Sequence, residues 1–442
     1  MKDNPRALAV EALTRILKNK AYSNIEINNI LKRSDVSNVD SRLMTNIVYG
    51  VLQHKMILEY QLEPYIAGKK VEDWVNILLL TAIYQIQYLD KVPEHAIFNE
   101  SVEIAKANGK NDGLGNFVTA VLRNYQRHGF RDLPKGNSEH SMSIRYSTPQ
   151  WLVELMVKQQ GVHKTKSILQ SINQPSHISI RVNTNKITPE ELTARLAESG
   201  FEMKPSQISS VGLTCPSGNL IETDEFREGL FTIQDESSMM VAPALDLQDG
   251  DQVLDSCAAP GGKTTHIASL LTNGSVMALD IHKPKTKLIQ ENSHRLGYED
   301  IIRTKALDAR KAKDQFAPES FDKILVDAPC SGLGLIRRKP ELRYFRQPED
   351  LLNLQKIQLQ ILDSLKDLVK VNGMLVFSTC TFDAEENEDV VMKFLADHDN
   401  YEVVPVKHEN VLDKNVHDGV LKLLPDDYFT DGFFVAAFRR KK

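Results

Sequence analysis

Apolar residues recur at helical spacing from the start of the chain, with Ala9, Leu13, Ile16 and Leu17 on one face. The same spacing returns at Leu43, Ile47 and Val51, and again between Phe117 and Tyr125. Val75 to Leu89 is apolar on several faces, which predicts the buried centre of an all-helical bundle rather than a membrane element. Residues 1–130 therefore read as a helical domain. Pro134 and Gly136 then punctuate a polar stretch, RDLPKGNSEHSMS, so residues 131–145 are expected to form a linker.

Past that stretch the pattern changes. Ser179 to Asn183 (SIRVN) predicts a short strand, and Thr188 precedes a helix that opens at Pro189, runs toward Glu198 and ends at Gly200. Residues 146–231 are expected to be a small α/β insert. From Gln234 onward strand, turn and helix repeat in order. The strands are expected at Gln252 to Ser256, Ser275 to Ile281, Ile301 to Lys305, Phe321 to Asp327 and Met374 to Ser378. Helical patterns such as Lys285 to Leu296 and Leu351 to Val369 lie between them. This alternation predicts an α/β, Rossmann-like domain over residues 232–442, a mostly parallel sheet with helices on both faces. Val420 to Leu424 and Phe433 to Phe438 have no helix between them and are expected to close the sheet as an antiparallel pair.

Length and composition agree with several soluble domains: 442 residues exceed one ordinary core, and 41% are hydrophobic and 26% charged. No apolar run reaches the roughly 18 residues of a membrane span, and Glu11 and Arg15 interrupt the start of the chain, so a cytoplasmic protein without membrane contact is expected. The net charge of -5 announces no nucleic acid, but its distribution is uneven. Ile301 to Arg346 carries 11 Lys/Arg against 6 Asp/Glu, whereas Thr381 to Asp431 carries 14 Asp/Glu against 4 Lys. A local basic surface remains open. Cys215, Cys257, Cys330 and Cys380 stand 42, 73 and 50 residues apart, which fits neither a zinc knuckle nor a disulfide framework. Free thiols and no metal are expected.

The stretch VLDSCAAPGGKTT, Val253 to Thr265, is an apolar strand that ends in a glycine turn opening a helix, where parallel α/β sheets bind ligands. Gly262, Lys263 and Thr264 match the end of a phosphate-binding loop. That motif, however, needs glycine where Cys257 stands, and Pro260 removes an amide from the nest. Asp280, ending the second strand, occupies the place where an acid accepts hydrogen bonds from the ribose hydroxyls of a nucleoside cofactor, or caps the helix from Lys283. Asp308, past the third strand, is either an adenine contact or a surface acid.

The fourth strand delivers FDKILVDAPCSGLG and the fifth VFSTC. Such strands are usually neighbours, so Asp327, Cys330 and Cys380 are expected at one pocket beside the cofactor. Thiols there have a purpose. C5 of cytosine is too weak a nucleophile to attack a sulfonium methyl group, but a thiolate added at C6 gives C5 carbanion character. The C5 proton must then leave with the help of a base or relay, a role open to Cys330 or a water near it. A protonated or strongly hydrogen-bonded Asp327 is expected to act at N3 or on the methionine side of the cofactor. By position alone either thiol can attack, and Cys215 reads as a small buried residue.

At DSCAAPGGKT (Asp255 to Thr264), FDKILVDAPCSG (Phe321 to Gly332) and FSTCT (Phe377 to Thr381) the chain resembles the RNA cytosine-5-methyltransferases of the Nol1/Nop2/Sun type. The resemblance implies a class I methyltransferase domain and S-adenosyl-L-methionine as cofactor. It makes Cys380 the nucleophile and Cys330 the residue that assists product release. It also implies cofactor contacts from Cys257, Ala258, Ala259, Pro260, Gly261, Gly262 and Lys263, and from Asp280, Asp308 and Asp327. The helical start resembles the NusB-like RNA-binding domain of the bacterial Sun/Fmu branch, which implies 16S ribosomal RNA as partner, free or in an early small-subunit particle, with no obligate protein partner. Thr381 departs from the serine common after the nucleophile.

A cytosine acted on at C5 must be flipped or single-stranded. Arg337, Arg338 and Lys339 are candidates to hold phosphates beside it, or a solvated charged loop. The rival functions are a DNA cytosine-5-methyltransferase, whose attacking thiol lies in a Pro-Cys block like that of Cys330, a transfer-RNA methyltransferase, and a non-catalytic RNA-binding or antitermination factor.

Overall fold

The computed structural model describes residues 3–109, 113–408 and 410–441. They divide into two compact units, Met1–Asn173 together with Arg338–Arg346, and Gln174–Arg337 together with Gln347–Lys442.

The first unit is helical: Pro5–Asn19, Ser23–Arg33, Asn38–Ile66, Asp73–Tyr88, Glu94–Asn108, Gly113–His128, Glu139–Arg145 and Gln150–Ser171. The amphipathic pattern is realised as a core in which Leu13, Ile16, Ile47, Val51, Ile83 and Leu122 are fully buried. Asn4 opens the bundle, its side chain accepting from the amides of Arg6 and Ala7 ahead of a first-turn proline. The end of the expected linker is helical instead of irregular, because Ser138 caps Glu139–Arg145 by accepting from the Ser141 amide and Met142 finds a buried place.

Arg338–Arg346 is built into this unit through buried polar groups. Glu341 accepts from the amide and hydroxyl of Ser23 at 2.9 and 2.8 Å. Arg343, fully buried, donates to the Tyr146 and Ser147 carbonyls and to Asn173. The Tyr344 hydroxyl donates to the Leu52 carbonyl at 2.9 Å.

The second unit holds two sheets. The smaller has strands β1 (Ile178–Val182), β2 (Lys204–Pro205), β3 (Gly212–Cys215) and β4 (Phe231–Ile233) in the order β2-β3-β1-β4, with antiparallel pairing. The helix Pro189–Glu198 packs Leu192 and Leu196 against Ile180, Val182 and Phe231, and starts in a capping box of Thr188 and Glu191.

The larger sheet is formed by β5 (Gln252–Asp255), β6 (Ser275–Asp280), β7 (Ile302–Ala306), β8 (Phe321–Asp327), β9 (Val369–Thr379), β10 (Tyr401–Val404), β11 (Val416–His417), β12 (Val420–Leu423) and β13 (Phe433–Arg440). Its order is β11-β12-β13-β9-β8-β5-β6-β7, with β10 beside β13. Strands β5 to β9 are parallel, β13 joins β9 antiparallel, and β12 pairs with β13 antiparallel, as the helix-free tail predicts. Alternate residues feed two buried faces: Val253, Ala278, Leu325 and Val376 one, Leu254, Leu279, Ile324 and Leu375 the other.

Strand β9 begins five residues before its predicted start, inside the tail of the predicted helix. The reason is local. Asn372 takes φ 65° and Gly373 lies so close to the Asp322 carbonyl that an added Cβ would stand 2.6 Å from it, while the β8 register shifts between Phe321 and Lys323.

Candidate active site

The β8/β9 register pairs Asp327 with Ser378, so the loops that leave both strands begin side by side. Cys330 and Cys380 meet there with their sulfurs 3.2 Å apart, neither of them in a disulfide and both half-buried. Asp327 accepts from the Lys263 ammonium at 2.9 Å through one oxygen and from the Ser378 hydroxyl at 2.9 Å through the other. Asp327 is thus an acceptor on both oxygens, beside a cation.

Charge sets the roles of the thiols. Its hydrogen bond with Cys380, followed by burial, holds the Cys330 thiol well above its ordinary range. Burial lowers the Lys263 ammonium, but Asp327 and then Cys380 more than offset this and raise it. A permanent cation therefore stands in the field of Cys380, and a neutral thiol able to donate to its sulfur lies alongside.

Two cavities share Asp327 in their walls. One, of about 260 Å³, is lined by Lys263, Asp327, Cys380, Leu335, Asp431 and Phe433. The other, of about 380 Å³, is lined by Cys257, Asp280, Ile281, Leu307, Asp308 and Ile357. Cys257, Ala259 and Asp327 border both. Burial pushes the Cys257 thiol up to about 12, leaving it neutral wall material.

The glycine turn forms as its sequence suggests. Gly261 takes φ 102° and caps the Gly262–Ser269 helix, and an added Cβ would crowd Ile289 at 3.2 Å. Asp255 beneath it is fully buried and accepts from the Thr264 hydroxyl at 2.7 Å; burial pushes its carboxyl up to about 7. Asp280 accepts the His282 amide at 2.9 Å and still faces the larger cavity. Asp308 lines that cavity too, but it caps its own turn and forks with Arg310, which holds its carboxyl below the usual range.

The basic run beyond Cys330 requires a correction. Arg337 is buried, its guanidinium donating to the Pro425, Phe429 and Thr430 carbonyls and stacking over Phe429 at 4.1 Å. It is thus committed to bracing the 425–430 loop and is not available to hold phosphates. Lys339, half-buried, sits over the Tyr22 ring within the helical unit.

Comparison with known proteins decides the family. A model of the 16S rRNA methyltransferase RsmB/F matches residues 242–439, a NusB family model residues 3–127, and an RsmF/B-like ferredoxin-like domain model residues 148–219. A protein of Bacillus subtilis named probable ribosomal RNA small subunit methyltransferase B is 41% identical, over 100% of this chain and 99% of its own length. The chain belongs to the 16S rRNA methyltransferase RsmB/F family. The ribosomal RNA small subunit methyltransferase B of Klebsiella pneumoniae subsp. pneumoniae is 33% identical over 89% of this chain and 90% of its own. A solved structure, PH0851, covers 99% of both chains at 28% identity with a TM-score of 0.84. Pyrococcus horikoshii NSun6, solved with SFG, shares the fold at 24% identity and a TM-score of 0.60, over 66% of this chain.

In this RsmB/F family member the predicted residues Cys257, Lys263, Asp327, Cys330 and Cys380 converge, with Ala258, Ala259, Pro260 and Gly262 along the wall of the smaller cavity. Asp280 and Asp308 stand at the larger cavity. Sequence reasoning missed two supporting groups. Arg181, buried in β1, donates to Gln234 at 2.9 Å and to the Thr265 hydroxyl at 3.0 Å, bracing the start of the Gly262–Ser269 helix. A charge in the middle of the apolar SIRVN strand is the signal for it. The second group, around Glu386, lies in the acidic stretch after Cys380, where a run of acids reads as solvated surface.

Proposed function

We propose that this methyltransferase acts at C5 of a cytosine in 16S ribosomal RNA through a covalent bond from Cys380 to C6. The observation that carries this is the pair of sulfurs 3.2 Å apart, neither of them in a disulfide, beside the Lys263–Asp327 pair. A methyl acceptor that was already nucleophilic would need neither thiol.

S-adenosylmethionine is the methyl donor, and it supplies an electrophilic methyl carbon. The larger cavity suits it. Its volume is in the range of ligand sites, Asp280 offers a carboxylate at a strand end, and Ile281, Leu307 and Ile357 offer flat apolar walls for a purine. The smaller cavity, with Cys380 in its wall, is left for the base.

The chain's own residues do the following. Lys263, together with the Cys330 thiol donating to the Cys380 sulfur, favours Cys380 as thiolate, which adds to C6 and places electron density on C5. After methylation the C5 proton must leave and the C6–sulfur bond must break. Cys330 gives its proton to the Cys380 sulfur as that bond opens and takes the C5 proton, directly or through a water, ending as the neutral thiol it began as. In this reading residues 1–130 and 146–231 supply RNA contacts to the catalytic region 232–442.

Cys380→Ala is expected to abolish both turnover of unmodified RNA and covalent trapping by RNA carrying a fluorinated cytosine, while Cys330→Ala still attacks and accumulates the bound complex on unmodified RNA. The reverse pattern would exchange the two roles. Mapping 5-methylcytosine with and without the gene tests the substrate: loss of a ribosomal site is expected, and a loss confined to transfer RNA would overturn the choice of RNA.

A further inference from the structure

Cys330 and Cys380 sit on loops, yet their sulfurs are within hydrogen-bonding distance, so something must fix the loops against each other. The residues on both sides of each thiol provide the answer. Next to Cys330, the Ser331 amide donates to Glu386 at 2.8 Å and the Pro329 carbonyl accepts from Gln358 at 3.0 Å. Gln358 also donates to Glu386 at 3.1 Å, so one carboxyl and one amide grip the backbone before and after the thiol.

Next to Cys380, the Thr381 hydroxyl donates to Asp383 at 2.9 Å and accepts from the Ser331 hydroxyl at 3.0 Å. Asp383 in turn accepts the Glu386 amide at 3.2 Å. Ser331, Gln358, Thr381, Asp383 and Glu386 are all completely buried. We propose that Glu386 is a positioning residue that holds the Cys330 loop against the end of the Cys380 strand and so sets the separation of the two sulfurs. The mechanistic weight of this assignment rests on the two-thiol reading above.

The acid form suits the task. Burial, then the neighbouring Asp383, push the Glu386 carboxyl up to about 9, so near neutral pH it is uncharged. An ionised Glu386 would add a negative charge close to Cys330 and push that thiol higher. A carboxyl that works as a neutral hydrogen-bonding group can be replaced by the amide of the same shape, and this distinguishes positioning from charge.

The test uses the full chain with Glu386→Gln, Glu386→Ala and, in case the alanine variant folds poorly, Gln358→Leu. Diamide, an azo oxidant, takes two electrons and two protons from a close thiol pair, and peptide mass mapping reports the Cys330–Cys380 disulfide. The alanine and leucine variants are expected to crosslink about tenfold more slowly and to turn over on the order of a hundredfold more slowly, as expected for a shift of about 1 Å between reacting groups. Glu386→Gln keeps the wild-type rates, and calorimetric binding of S-adenosylmethionine is the same in all four proteins. Wild-type crosslinking in both Glu386→Ala and Gln358→Leu overturns the assignment, as does a Glu386→Gln variant as slow as alanine. Crosslinking reads sulfur separation without turnover. An active Cys380→Ala enzyme would therefore refute the covalent chemistry while leaving this result to be judged separately.

Discussion

At the Cys380 sulfur the decisive neighbour is a cation. Lys263 is buried at 14% side-chain exposure and shares its charge between Asp327 and the thiol. Lys263→Met is expected to move the alkylation profile of Cys380 by iodoacetamide to higher pH by about one unit or more, because the thiolate loses its stabilising charge. An unchanged profile would remove Lys263 from the activation. Asp255 makes a different prediction. Its folded carboxyl is pushed up to about 7 from an ordinary 3.8, so the folded state holds a proton that the unfolded state has released. The contribution of Asp255 to stability is therefore fully present below pH ~4 and is lost as pH rises through that window to about 7. Asp255→Asn, which keeps an acceptor for Thr264, should flatten this part of the melting-temperature profile, and a variant with the wild-type slope would contradict the assignment. Both residues were visible in the DSCAAPGGKT block, but the charge state of Asp255 was not, since burial is a property of the folded surroundings.

Among the elements, the loop from Ser331 to Arg337 depends on backbone approach. Gly334 donates its amide to the Cys380 carbonyl at 3.0 Å and accepts the Gly432 amide at 3.0 Å. A Cβ at Gly334 would stand 1.9 Å from the Gly432 carbonyl oxygen and 2.7 Å from that of Cys380, both backbone. Gly334→Ala is expected to cost roughly 1–3 kcal/mol in chemical denaturation and to lower turnover, since the strain bears on the carbonyl of Cys380, the proposed nucleophile. Arg337→Ala should lower the melting temperature through the loss of its buried carbonyl partners while leaving the salt slope of RNA binding unchanged. A flattened slope with unaltered melting would restore it as a phosphate contact. The periodicity in the sequence exposed the strands, the parallel order and the late antiparallel pair. It misread Arg337 because a basic run looks the same whether its partners are phosphates or carbonyls some ninety residues downstream.

For the molecule as a whole, the helical unit is not one continuous stretch of chain. It includes Arg338–Arg346, whose Glu341, Arg343 and Tyr344 answer buried groups at Ser23, Ser147 and Leu52. A fragment of residues 1–173 is expected to melt below the helical unit of the full chain and to lose hydrogen-exchange protection around Ser23, because those groups lose their partners. Equal protection in fragment and full chain would show that the segment contributes nothing to the fold. By itself the sequence determined the order of elements, the glycine turn after the first strand of the larger sheet and the presence of a thiol just beyond each of two strands, because hydrophobic periodicity and glycine geometry are local. Tertiary structure alone decided which loops touch: the 3.2 Å between the sulfurs, the buried carboxyl at Glu386 that grips them, and the burial of Arg337. Such contacts join residues far apart in the chain, and their energies depend on desolvation, which no local pattern encodes.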